Sequence, residues 1–187
     1  MAAIDDFLAD ATTRMDKSVE NARNELNTVR TGRASAALLD RVQVDYYGQP
    51  TPLNQLATIN VPEPRMITIQ PFDPNSLSGI ERAIQESDLG LNPANDGKLI
   101  RLPIPQLTEE RRKELVKVVR HIAEEGKVAV RNIRRDAIHH LKELSNKGDV
   151  GSDEEHRAED QVQKLTDSHT KSIDDLLQHK EQEIMEV

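Results

Sequence analysis

The chain has 187 residues and a net charge of −8, so it is long enough for one or two domains and too acidic overall to be a general nucleic-acid coat. The lack of cysteine excludes disulfides, thiolate zinc sites and a cysteine nucleophile, and it fits a reducing cytosol. No apolar run approaches the roughly 20 residues that span a bilayer, and four aromatic residues are too few for a platform that stacks single-stranded RNA bases.

Residues 1–31 contain no proline, and they predict a first long helix from about Ala3 to Arg30. Apolar residues recur there at spacings of three and four, which is the pattern of a bundle seam: Ile4, Leu8, Ala11, Met15, Val19, Ala22, Leu26 and Val29. The helix is predicted to end at Thr31-Gly32, where glycine suits a left-handed cap.

The segment from residue 33 to residue 105 has a different composition, since all nine prolines lie between Pro50 and Pro105. Apolar and polar residues alternate in this segment. Strands are predicted at residues 42–46, 57–61, 66–70 and 99–102, and a short helix at residues 78–87. The segment is therefore predicted to fold as a small α+β domain.

Residues 108–145 contain no proline and one glycine, Gly126, and they predict a second helix about 60 Å long. Thr108 is the expected N-cap, followed by Glu109 and Glu110, because the helix dipole favours acids in the first turn. Basic residues gather within about 60° of Arg131 on a helical wheel: Lys113, Lys117, Arg120, Lys127, Arg131, Arg134 and Arg135. The opposite side is apolar and is expected to be buried: Leu115, Val118, Val119, Ile122, Ala129, Ile133, Ala137 and Leu144.

A third helix is predicted to start at Ser152, where Glu155 completes a capping box. Residues 146–187 carry five Lys/Arg against twelve Asp/Glu, whereas residues 108–145 carry ten against seven, so the third helix is acidic and the second basic. Long helices need partners that bury their apolar stripes. The predicted fold is a two-domain α+β protein. It consists of an elongated antiparallel three-helix bundle (residues 1–31 and 106–187) and an inserted β/α/β head domain (residues 32–105).

Because the head domain leaves the bundle after the first helix and returns before the second, two connections are expected side by side at one end of the bundle. They comprise Arg30, Thr31, Gly32 and Arg33 on the way out, and Pro103, Ile104, Pro105 and Gln106 on the way back. Two interpretations stay open. The head is either a fixed outgrowth, locked by an interface between the domains, or a body that swings about a hinge at this joint.

The motifs of common enzyme and metal sites are missing from the sequence. It has no Walker A, GxGxxG, GxSxG or HExxH motif, and the adjacent His139 and His140 would point about 100° apart on a helix. We therefore predict a protein without catalytic activity, cofactor or metal site.

The basic face of the second helix has two interpretations: it pairs with the acidic third helix, or it binds a polyanion. Arg131, Arg134 and Arg135 favour a polyanion, because the planar guanidinium group suits phosphate better than an ammonium group does. Glu124 lies within the face and fits this interpretation least. A coiled-coil adaptor that binds protein helices is a separate hypothesis, based on the heptad spacing of the first helix, and a hydrolase that uses surface carboxylates is the least favoured one.

Five short motifs distributed over essentially the whole chain narrow these alternatives. They are RTGRAS at residues 30–35, DLGLNP at 88–93, LTEERR at 107–112, VRNIRRDA at 130–137 and QKLTD at 163–167. In order and spacing the chain resembles the bacterial ribosome recycling factor family.

The resemblance implies an L-shaped molecule with the overall dimensions of transfer RNA. Such a factor binds the large subunit of the post-termination ribosome across the peptidyl-transferase region, where it contacts ribosomal RNA. Its head domain then meets elongation factor G, whose GTP hydrolysis drives the separation of the subunits and release from mRNA. The implied factor is a cytoplasmic monomer, is not an enzyme, and uses neither a cofactor, a small-molecule substrate nor a membrane.

The resemblance also assigns roles to individual residues. Arg131, Arg134 and Arg135 are the strongest candidates for contact with ribosomal RNA, and Arg30, Arg33 and Arg112 near the joint follow. The rest of the basic face completes the predicted ribosome-binding set: Lys113, Lys117, Arg120 and Lys127.

Overall fold

A computed structural model describes residues 2–186 of the chain, and Met1 and Val187, which the predicted bundle domain includes, lie outside the described residues. The chain divides into two compact units. Unit one comprises the chain up to Arg30 together with Arg112–Met185, and unit two comprises Thr31–Arg111 together with Glu186. The chain therefore passes from one unit to the other after Arg30 and after Arg111, and again after Met185.

Long helices flank a segment of short strands and helices. The helices are α1 (Ala2–Thr28), α2 (Leu53–Leu56), α3 (Leu77–Glu86), α4 (Glu109–Asn146) and α5 (Ser152–Glu186). The strands are β1 (Gln43–Tyr46), β2 (Gln49–Pro52), β3 (Ala57–Glu63), β4 (Met66–Pro71), β5 (Ala94–Asn95) and β6 (Ile100–Pro103). Two short 3-10 turns lie at Ala36–Leu39 and Pro74–Ser76.

Unit one is an antiparallel three-helix bundle, as predicted. Its core contains two apolar clusters, and each joins residues of α1, α4 and α5, in that order: Ile4, Leu141 and Val162 in one, and Ala22, Ala123 and Ile173 in the other. As α1 advances, the partner positions on α4 fall and those on α5 rise. α4 therefore runs antiparallel to α1 and α5, which are parallel to each other.

Gly126 marks a close approach of the three helices near the middle of α4. A Cβ atom at this position would lie 3.0 Å from Cβ of Ala22 on α1 and 3.3 Å from Cδ1 of Ile173 on α5. Both distances are shorter than ordinary van der Waals contact, so these neighbours fill the space that a side chain would need. The single glycine within α4 is thus a packing position in the core of the bundle.

One helix end and one helix cap differ from the predicted ones, although α5 begins at the predicted residue. α1 ends at Thr28, so Gly32, although its φ is +76°, lies four residues beyond the helix and does not cap it. α5 begins at Ser152, and the N–H of Glu155 donates to the carbonyl oxygen of Gly151 (2.9 Å). The helix thus starts one residue earlier than the predicted capping box requires, because a capping Ser152 would itself have to lie outside the helix.

Unit two is built on an antiparallel sheet of four strands in the order β3-β4-β6-β5, and β1 and β2 form a separate hairpin. The buried positions of β4 and β6 face each other across the ladder, with Ile67 opposite Leu102 and Ile69 opposite Ile100. α3 contributes Ile80 and Ile84 to the same core. The small α+β domain expected from the sequence is therefore present.

All four predicted strands and the short helix of this unit are found, as β1, β3, β4, β6 and α3. The sequence analysis missed β2, β5 and the single turn α2. β2 contains Pro50 and Pro52, and proline donates no ladder hydrogen bond, so the composition argued against a strand. A two-stranded hairpin tolerates these prolines because each of its strands has only one hydrogen-bonded neighbour.

Candidate nucleic-acid interface

α4 carries the predicted interface. It begins where Oγ1 of Thr108 accepts a hydrogen bond from the N–H of Arg111 (3.2 Å), as expected for the N-cap. It then continues for 38 residues, or about 57 Å. At its end the N–H of Gly148 donates to the carbonyl oxygen of Ser145 (3.0 Å), and Gly148 has the left-handed φ of +79°. One continuous helix therefore fixes the order and direction of all the basic side chains.

The buried stripe of α4 does not lie opposite the basic face. It consists of Leu115, Val119, Ala123, Gly126, Val130, Ile133, Ala137 and Leu141. These residues centre about 120° from Arg131 on the helical wheel, whereas the sequence analysis placed the stripe at about 180°. The prediction is wrong for Val118, which is 46% exposed, and Ile122 and Ala129 are only half-buried. One edge of the basic face therefore adjoins the packed side, and the other edge points outward.

Two basic residues at the packed edge form ion pairs with α5, and we call Arg120 and Lys127 the inner pair. Nε of Arg120 lies 2.5 Å from Oε1 of Glu181, and Nζ of Lys127 lies 2.9 Å from Oδ1 of Asp174. The hydrogen bond to Asp174 raises the pKa of Lys127. These two basic residues of α4 are therefore paired with acidic residues of α5 within unit one.

The exposed basic residues at the outward edge lie within about 40° of Arg131, and we call the four of them between residues 113 and 135 the outer row: Lys113, Lys117, Arg131 and Arg135. Lys142 continues this edge toward the end of α4. Arg131 pairs with Glu124 (2.6 Å), and Arg135 donates to the side-chain oxygen of Asn132. Both partners belong to α4 itself. Lys117 has no ion-pair partner among residues 2–186. These side chains are thus displayed toward solvent on the side of α4 that its core contacts leave open.

Glu124 lies on the basic face, about 20° from Arg131, and contacts one residue of the outer row and one of the inner pair. Its Oε1 is 2.6 Å from Nη2 of Arg131, and its Oε2 is 3.4 Å from Nζ of Lys127. The hydrogen bond from Arg131 holds the pKa of Glu124 below its ordinary value. Glu124 therefore orients Arg131, and it also cancels one positive charge of the face.

Arg134 and Arg112 lie at the margins of this arrangement. Arg134 is half-buried, and its Nε, like that of Arg112, is buried without a hydrogen-bond partner among the described residues. Arg112 lies about 100° from Arg131 on the wheel, on the packed side of α4. Its Nη1 donates to the carbonyl oxygen of Met185 (3.1 Å), so it ties the start of α4 to the end of α5. Arg112, which was predicted as an RNA contact from its position near the joint, thus lies outside the basic face.

The residues of the predicted joint make contacts within unit two. Thr31 and Ile104 are buried, and the N–H of Ile104 donates to the carbonyl oxygen of Arg65 (2.8 Å). A Cβ atom at Gly32 would lie 2.8 Å from Cγ of Leu107, so the outgoing and returning segments touch. Motion of the joint stays a prediction.

The described residues offer no group of three His, Asp or Glu side chains that could hold a metal ion. His139 and His140 instead lie near the carboxylate of Glu143, at 3.5 and 3.7 Å. Within residues 2–186 no helix combines the length and the apolar composition needed to cross a membrane.

The sequence analysis missed a pair of exposed aromatic side chains on unit two. Tyr47 is 79% exposed and Phe72 is 67% exposed. A signal was available in the dipeptide Tyr47-Gly48, because the first position of a two-residue hairpin turn usually holds Asn, Asp or Gly rather than an aromatic residue.

Comparisons with known proteins agree on one family. Residues 22–185 match the family model for ribosome recycling factor. The ribosome-recycling factor of Rubrobacter xylanophilus is 57% identical over 180 residues, which cover 96% of this chain and 97% of that protein. The factor of Enterococcus faecalis is 57% identical over 182 residues (97% and 98%), and that of Mycobacterium tuberculosis is 52% identical over 184 residues (98% and 100%).

Solved structures give the same result. A solution structure of a ribosome recycling factor is 45% identical to this chain, with a TM-score of 0.70 and coverage of 98% of both chains. A model of the T. thermophilus factor has a TM-score of 0.62 at 49% identity, covering 97% of this chain and 98% of that one. It comes from a description of that factor and E. coli elongation factor G bound to the E. coli post-termination complex.

Proposed function

We propose that this chain, which belongs to the ribosome recycling factor family, binds the large subunit of the post-termination ribosome through α4 and, with elongation factor G, separates the subunits. The observation that carries the proposal is the outer row. Its four basic side chains lie along 22 residues of one helix, about 33 Å, on a protein whose net charge is −8. A directional patch of this kind attracts a polyanion in one orientation.

The polyanion that we propose is ribosomal RNA, and the family membership supports this choice. An α-helix that presents Lys and Arg without aromatic side chains between them contacts phosphates rather than bases. Recognition would then depend on the shape and charge of folded RNA, as it does for duplex RNA. The contacts would orient the bundle on the ribosome and leave unit two available for elongation factor G.

The contacts within unit one refine the roles of the predicted residues. We assign phosphate contacts to the outer row and to Arg134, which lies about 60° from Arg131 at the margin of the basic face. The inner pair and Arg112 already have partners on α5, so their main role is to hold α4 against α5. In this assignment they support the interface and contribute little to it directly.

A coiled-coil adaptor is less consistent with the packing. The apolar seam of α1, including Ala11, Met15, Val19 and Ala22, is buried in the core of the chain's own bundle and presents no free heptad face. We accordingly propose a monomer that acts in the cytoplasm, where translation terminates. GTP hydrolysis is assigned to elongation factor G, so the factor needs no nucleotide site of its own.

Subunit splitting tests the proposal directly. Post-termination ribosomes mixed with elongation factor G, GTP and this protein should lose light scattering faster than ribosomes given elongation factor G and GTP alone. A rate equal to that of elongation factor G alone would refute the proposed function.

A pair of charge-reversed variants tests the interface. Arg134→Glu with Arg135→Glu should weaken ribosome binding in co-sedimentation, most strongly at low salt, because it places negative charge against phosphate. Lys164→Glu with Lys171→Glu changes the net charge equally, at two exposed positions of α5. Equal loss of affinity in both variants would show that only total charge matters, and that α4 is not the interface.

A further inference from the structure

The turn between β1 and β2 contains a residue that its backbone disfavours. Tyr46 pairs with Gln49, so the turn consists of Tyr47 and Gly48, with φ angles of +50° and +82°. Two positive φ angles define the family of turns in which Asn, Asp or Gly normally takes the first position. A tyrosine there has a Cβ atom in the left-handed region and destabilises the hairpin relative to asparagine.

Burial does not offset this cost, since Tyr47 is 79% exposed. Phe72, at the end of β4, is also exposed, at 67%. With Tyr46, they make up three of the four aromatic residues of the chain. The stability of the fold does not explain why these large apolar side chains are exposed. Proteins rarely expose such groups together without a binding role, so their exposure indicates a binding surface.

The two tyrosine rings are held in place although Tyr47 is exposed. The rings of Tyr46 and Tyr47 meet edge to face, with centroids 4.6 Å apart. Their hydroxyls lie 3.3 and 3.5 Å from the same oxygen, Oδ2 of Asp73, the residue that follows Phe72. The other oxygen of Asp73 accepts from the N–H of Asn75 (2.9 Å). A side chain fixed before binding loses less entropy when it docks, as expected of an interface anchor.

The charged residues that neighbour these rings along the chain are acidic, which argues against RNA as the partner. In residues 43–52 and 70–76 the only charged side chains are Asp45 and Asp73. Both would repel phosphate. A protein surface with an apolar pocket flanked by Lys or Arg is complementary to aromatic rings between two carboxylates.

We infer that Tyr47 and Phe72 are the anchors by which unit two docks on elongation factor G. The inference rests on the proposed function and adds residues and chemistry to it. Elongation factor G is the occupant because it is the protein placed on the post-termination complex alongside a structurally similar factor. Aromatic residues at the centre of an interface commonly supply most of its binding energy.

The test uses Tyr47→Asn combined with Phe72→Gln. Asparagine suits the first turn position, so the hairpin should keep or gain thermal stability while both anchors are lost. Splitting rates are measured against the concentration of elongation factor G, with ribosomes saturated by the variant. We expect a rise of about tenfold in the concentration of elongation factor G that gives half the maximal rate. Val61→Gln is the matched control, at another exposed apolar residue of unit two, and should behave as wild type.

The outcomes separate the two proposals. The docking assignment is overturned if the double variant splits ribosomes at the same concentrations of elongation factor G as the wild type. It is also overturned if the variant shows a salt-dependent loss of ribosome affinity, which would indicate an RNA contact at these rings. Failure of the wild-type protein to split ribosomes refutes the proposed function instead. Phe72→Gln alone leaves the turn intact and answers the same question if the double variant is unstable. Tyr47→Phe keeps the ring and should retain most of the activity.

Discussion

The division of the basic face into an outer row and an inner pair predicts two different salt dependences. Replacing Lys117, Arg131 and Arg135 together by glutamine removes three outward cations and leaves the contacts with α5 intact. Each phosphate contact contributes about 0.7 to 0.9 to the slope of log affinity against log salt concentration. Losing three contacts should therefore lower the magnitude of that slope by about 2 to 3.

The inner pair provides the comparison. Arg120→Gln with Lys127→Gln also removes positive charge from α4, but these cations already face Glu181 and Asp174. We expect the slope to change less than half as much and the melting temperature to fall slightly, since a contact between α4 and α5 is lost. Co-sedimentation with ribosomes between about 50 and about 200 mM salt measures the slopes, and thermal unfolding measures the stability.

Two results would refute this reasoning. If both variants lower the slope equally, the ion pairs with α5 do not decide which cations reach RNA. If the outer-row variant keeps the wild-type slope, those side chains contact no phosphates, and the interface lies elsewhere.

Three further predictions each test a single feature. Glu124→Gln removes the one acid from the basic face, and co-sedimentation should show severalfold tighter ribosome binding at low salt. Gly32→Ala and Gly48→Ala both place alanine at positive φ, but only position 32 also meets a side chain, at 2.8 Å. Denaturant titration should show that Gly32→Ala costs about 1 to 3 kcal/mol more unfolding free energy than Gly48→Ala. The backbone N–H of Leu99 lowers the pKa of Asp96, so ionised Asp96 stabilises unit two above an unfolded pKa of about 3.9 and loses that effect as the pH falls through its folded pKa. The difference in melting temperature between wild type and Asp96→Asn should therefore vanish between about pH 6 and about pH 2.

Long-range regularity made the bundle predictable. The heptad spacing of α1 and the proline-free length of α4 are properties of the sequence alone, and both predict long helices that pack against each other. The direction in which the buried stripe of α4 faces was harder to predict from the sequence. Apolar residues such as Val118 and Ile122 lie beside the true core positions, and only the placement of α1 and α5 decides which of them are covered.

The prediction of the interface was limited because it also depends on how the neighbouring helices are placed. Segregation of cations on a helical wheel identified the face, but the wheel cannot show that Asp174 and Glu181 reach Lys127 and Arg120. Those pairs depend on how far α5 is shifted along α4. Arg112 was assigned to the interface from its position near the joint, and its contact with α5 becomes visible only in the folded bundle.

Gly126 is buried in the core of unit one, but it influences which charged side chains of α4 are exposed on the surface. Its missing side chain admits Ala22 and Ile173. A displacement of α4 by one residue, about 1.5 Å along its axis with a rotation of about 100°, would bring Glu125 or Lys127 against them instead. The glycine therefore fixes the longitudinal alignment of α4 with its neighbours. That alignment decides which basic residues of α4 pair with acidic residues of α5 and which point into solvent. The pattern of surface charge that a partner encounters therefore depends on the absence of one side chain in the core.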